Sequence, residues 1–65
     1  MNSREVIKKI HKNGWKLDRV TGSHHIFIQE GKGTIVTVPH PKKDIPIGTI
    51  KSIEKQSGIK LLKGE

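Results

Sequence analysis

Two histidines stand side by side in the stretch Gly22-Ser23-His24-His25-Ile26-Phe27. Imidazole titrates near neutral pH and can both take and give a proton, so this pair offers acid–base chemistry. Glycine permits a turn that bulkier residues resist, and Thr21-Gly22-Ser23 is read as reversing the chain before a β-rich run. In the strand that follows, successive side chains point to opposite faces, grouping His24 with Ile26 and Ile28, and His25 with Phe27. One histidine is then shielded while its neighbour is presented to a ligand. A histidine at a strand end is also commonly a half-buried polar residue, and the pair alone does not separate that reading from catalysis. A shared metal ion fares worse. Adjacent strand residues diverge, and with no cysteine the four-ligand zinc spacings cannot be assembled, so neither a metal nor another cofactor is expected.

The frame around this stretch is small. Sixty-five residues make one domain spanning 1–65, which buries about 60% of its unfolded surface and is marginally stable alone. The formal net charge is +7, and the thirteen basic residues spread from Arg4 to Lys63 instead of gathering in one tail. That distribution suits a polyanion-binding surface on a folded domain. No stretch approaches the ~20 apolar residues of a transmembrane helix, so no membrane partner is expected. Arg4-Glu5 and Lys8-Lys9 interrupt any apolar core that a signal peptide would need. The absence of cysteine is compatible with a reducing cytoplasm.

From Asn2 to Asn13, Val6, Ile7 and Ile10 recur at helical spacing opposite Lys8, Lys9 and Lys12, which predicts a first amphipathic helix. Asn2 or Ser3 can cap its start, and Gly14 ends it. Trp15 to Val20 alternates around Trp15 and Leu17 as a first strand, with Trp15 read as a core anchor in preference to a base-stacking platform. His24 to Gln29 is the second strand, Glu30 to Gly33 a loop, and Thr34 to Val38 a third strand rich in β-branched residues. Pro39 and Pro41 break the sheet, and Pro46 opens a second helix carrying Ile47, Ile50 and Ile53 and stopping at Gly58. Ile59, Leu61 and Leu62 are apolar enough to pack back on the domain, whereas Lys63 to Glu65 are expected to fray.

The predicted class is α+β: helix, strand, strand, strand, helix, with a three-stranded antiparallel meander covered by both helices on one face. The other face stays open for a ligand or partner. Lys42, Lys43, Lys51 and Lys55 converge in this picture at the entrance of the second helix, where they would hold phosphate; solvated lysines on an amphipathic helix are the plainer reading.

Gly14-Trp15 after the first helix, Arg19 ahead of Gly22-Ser23-His24, Val36-Thr37-Val38-Pro39, Ile45-Pro46-Ile47-Gly48-Thr49-Ile50 and Gln56-Ser57-Gly58-Ile59 together resemble HicA toxins of HicAB toxin–antitoxin systems. The match runs over nearly the whole chain. It implies a fold like the double-stranded RNA-binding domain, metal-free cleavage of mRNA, and a HicB-like antitoxin as partner. By position the family's catalytic histidine falls on His24 and its motif glycine on Gly22, followed by Ser23; His40 is the candidate for a further histidine found after the third strand in many members. A non-catalytic RNA-binding module of the same fold is the competing function, and a domain that binds an acidic protein is a third. A pure binder has no need of a neutral-pH proton carrier at His24.

Overall fold

The computed structural model describes residues 1–62; Lys63 to Glu65, expected to fray, lie outside them. Helix α1 runs Ser3–Lys12, strands β1, β2 and β3 run Lys16–Thr21, His24–Ile28 and Val36–Pro39, and helix α2 runs Ile47–Ser57. The sheet order is β1-β2-β3, antiparallel throughout, so β2 is central.

Asn2 is the residue that caps α1, its side chain accepting the Glu5 N–H at 2.8 Å, which satisfies one of the donors a helix start leaves open. Ser3 is turned inward and buried instead. At the other end Gly14 adopts φ +94°, a left-handed conformation that glycine takes at little steric cost, and delivers Trp15 into the core. Val6 and Ile10 of α1, Ile50 and Ile53 of α2, Phe27 of β2, and Val36 and Val38 of β3 close around Trp15 with Ile45 and Leu61. Ile59 and Leu62 pack against this cluster. The Leu61 and Leu62 N–H groups donate to Glu54 Oε2 at 2.6 and 3.0 Å, tying the segment after α2 back to that helix.

The boundaries differ from the sequence reading in three instructive places. Trp15 and Leu17 do not share a burial state: Trp15 is buried just ahead of β1, whereas Leu17 and Val20 are 51% and 52% exposed. Both stand opposite inward residues of β2, Leu17 across from Phe27 and Val20 across from His25, but the helices pack over β3 at the far side of the sheet and leave the inner face of β1 uncovered. A register shift between Leu17 and Arg19 leaves Asp18 as an extra residue, a β-bulge in this edge strand. Pro39 does not end the sheet ahead of itself; it is the last residue of β3, paired with His24. An edge strand tolerates a residue without an N–H. Outward from β3, the Thr37 N–H reaches Gln56 Oε1 of α2 at 3.4 Å.

Alternation in β2 turns Phe27 inward, 2% exposed, and sets His24 and Ile28 outward with Ile26 half-buried. Phe27→Ala is expected to cost about 3–5 kcal/mol in urea unfolding, a large part of the stability of so small a domain. Ile28→Ser should stay within about 0.5 kcal/mol of the parent; a reversed ranking would mean that the sheet faces are swapped.

Candidate active site

Gly22 at φ +60° makes the turn between β1 and β2, and nothing within 4 Å would meet a Cβ there, so the demand for glycine is one of backbone conformation. The turn sets His24 at the first position of β2, exposed, on the face that carries no helix. Its cross-strand neighbours are Thr21 and Pro39. Neither of these two side chains is ionisable, so of the three His24 alone bears an acid–base group. Arg19 stands across from Ile26, one step along the same face, and Lys16 across from Ile28. The Arg19 guanidinium pairs with Asp18 Oδ2 at 2.5 Å on the surface. Exposed pairs of this kind contribute only about 0–1 kcal/mol, so Arg19 can exchange Asp18 for a phosphate at small cost. Sequence reading takes Arg19 only as a motif residue; the signal missed is the bulge, which shifts it onto the His24 face.

The other two histidines of this end of the sheet face away from His24. His25 lies on the helix side, its Nδ1 buried without a hydrogen-bond partner among the described residues. Its ring meets that of His40 edge-on, centroids 4.7 Å apart at 82°. His40 Nδ1 lies 2.6 Å from Ser3 Oγ, and Ser3 Oγ accepts the Lys42 N–H at 3.0 Å. A hydroxyl offers one proton and two acceptor sites, so Ser3 Oγ serves the Lys42 N–H and His40 Nδ1 at once. Backbone bonds brace the same corner, from Ser3 N to Lys42 O at 2.9 Å and from His40 N to Ser23 O at 2.8 Å.

The four lysines read as converging divide into two groups. Lys42 and Lys43 border a pocket with Arg4 and His40 at the start of α1. Lys51 and Lys55 border a separate depression with Glu54 and Lys60. Among the described residues no three His, Asp or Glu side chains are grouped to hold a metal ion, and no helix is long and apolar enough to cross a membrane.

Residues 3–59 match the family described as HicA toxin of bacterial toxin–antitoxin. The chain belongs to the HicA toxin family. Its fold is also that of a chain in the solved structure titled "HicA3 and HicB3 toxin-antitoxin complex", with 38% identity and a TM-score of 0.83, covering 95% of this chain and 100% of that one. No curated protein matches. The α-β-β-β-α order with both helices on one face is thus the double-stranded-RNA-binding-domain-like fold of HicA.

Ser3→Ala would leave the Lys42 N–H and His40 Nδ1 without their shared partner, at a cost of about 1–3 kcal/mol. Faster amide hydrogen exchange at Lys42, with exchange in α2 unchanged at low denaturant, is the expected signature. Unchanged exchange at Lys42 would mean that the hydroxyl does not hold this corner.

Proposed function

We propose that this HicA-family chain is a metal-independent endoribonuclease that cleaves mRNA in the cytoplasm, with His24 as its catalytic acid–base. The observation that carries the reading is the exposed His24 imidazole on the helix-free sheet face, beside two residues that cannot titrate near neutral pH and within a strand of Arg19. In the reaction the 2′-hydroxyl attacks the adjacent phosphorus. An O2′–P bond forms and the P–O5′ bond breaks, leaving a 2′,3′-cyclic phosphate and a 5′-hydroxyl. One proton leaves the 2′-oxygen and another must reach the 5′-oxygen. A single imidazole carries one of these transfers at a time. With His25 and His40 turned to the other side of the sheet, water completes the second, and slow turnover follows. Arg19, with Lys42, Lys43, Lys51 and Lys55, holds phosphate charge.

RNA cleavage by purified protein should persist in EDTA, spare DNA, which lacks the attacking hydroxyl, and fall by at least about a hundredfold in His24→Ala. Full activity in that variant would sink the catalytic assignment. RNA binding with no cleavage by the parent protein would make the chain a binding module instead.

The antitoxin is part of the same reading. The matched complex pairs HicA3 with HicB3, and beside His24 the open face carries Ile26, half-buried, and Ile28, 41% exposed. A HicB-like partner seated there buries both isoleucines and occludes His24 in one contact, and the +7 charge speeds its encounter with an acidic surface. Ile28→Asp is expected to remain folded and to cleave RNA while losing at least about tenfold in antitoxin affinity, or 1.4 kcal/mol, by calorimetric titration. An unchanged Kd would move the antitoxin to another surface.

A further inference from the structure

The pocket at the start of α1 is not explained by the chemistry of His24. It encloses about 230 Å³, and its wall brings Arg4, Lys42 and Lys43 together with His40 and the buried Ser3. The three cations come from two segments that are far apart in sequence and are clamped to each other by the Ser3 N–H bond to Lys42 O and the Lys42 N–H bond to Ser3 Oγ. Among the described residues no carboxylate lines the pocket. Two acids adjoin these cations in sequence, Glu5 next to Arg4 and Asp44 next to Lys43; Asp44 is engaged by the Met1 ammonium group at 3.4 Å, and among the described residues neither Arg4, Lys42 nor Lys43 forms an ion pair with an acid. Solvated lysines on a convex helix face would not be braced in this way. A concave wall with three uncompensated cations, one of them an arginine able to grip two oxygens, matches a phosphate group.

The pocket is also joined to the candidate active site. His40, which lines it, donates its N–H to the carbonyl of Ser23, the residue next to His24. Both features sit where β2 begins and β3 ends, His24 on the open face and the pocket on the helix side. A nucleic-acid strand that presents one phosphate to His24 and turns over that end of the sheet would bring a neighbouring phosphate to Arg4 and Lys43.

We propose that this pocket is a phosphate subsite that holds a phosphodiester flanking the scissile one and so sets which linkage reaches His24. The assignment rests on the endoribonuclease reading and singles out Arg4 and the Lys42–Lys43 pair, apart from Lys51 and Lys55.

The test uses the full chain carrying His24→Ala, which should bind RNA without cleaving it, and two probes: inorganic phosphate and a short single-stranded RNA whose 2′-hydroxyls are all methylated. Saturable amide NMR shifts at Arg4, His40, Lys42 and Lys43 are expected with both probes. Adding Arg4→Gln and Lys43→Gln should abolish those shifts and flatten the log–log salt dependence of RNA binding by about 1.4, at roughly 0.7 per lost contact. Shifts with phosphate but not with RNA would mean an adventitious ion only and would overturn the proposal, as would RNA shifts that bypass the pocket. An unaltered salt slope in the double variant would overturn it too. The amide map needs no change to the pocket, so it decides even if the double variant folds poorly. Cleavage by the unmodified chain is scored separately: its absence would remove the ribonuclease reading while leaving the phosphate result to stand on its own.

Discussion

Everything in this small protein hangs on the register of β2, a strand of five residues paired on both sides. A slip of one residue would exchange the two faces, drawing Phe27 out of the core and pushing His24 beneath the helices. With β1 and β3 both hydrogen-bonded to it, such a slip would also break two ladders at once. The burial of one aromatic ring and the presentation of one imidazole are therefore a single structural decision. No separate device is needed to expose His24.

The second organising contact is the hydroxyl of Ser3. It is buried, and it joins the first residue of α1 to the segment that follows β3 through Lys42 and His40. Through the His40 backbone this joint extends to Ser23 beside the candidate catalytic residue. A helix that covers the core and a loop that carries cations are thereby positioned by the same oxygen atom. In a chain of 65 residues, where apolar burial is limited by size, one well-shared polar group does the positioning that a larger core would otherwise do.

The element order, the cap glycines and the grouping of β2 residues into two faces are legible because each rests on local chemistry: a period of 3.6 or 2, a positive φ, a proline; alternation does not say which face is buried. Legibility failed where the outcome depends on which neighbour covers a residue. Leu17 has the alternation of a core residue and is exposed only because the helices sit over β3. The Lys42–Lys43 pair stands near the entrance of α2 in sequence, yet it is drawn toward Arg4 by the Ser3 contacts while Lys51 and Lys55, four residues apart, remain along α2. Ser3 itself looked like one of two equivalent caps; only the tertiary contact with His40 and Lys42 distinguishes it from Asn2. The roles of His25 and His40 were open for the same reason, since a sequence does not say which rings meet.

The bulge at Asp18 has a consequence for the life of the free protein. An open three-stranded sheet has two rims, and a rim with an unbroken row of N–H and C=O groups is a template on which another chain can add a strand. Here one rim is interrupted by Asp18 and flanked by Lys16 and Arg19. The other ends in Pro39 and lends the Thr37 N–H to Gln56. Both sides are blunted against strand-to-strand stacking, so when the open face is left without a partner its apolar residues do not also have a ready-made ladder along which copies could polymerise.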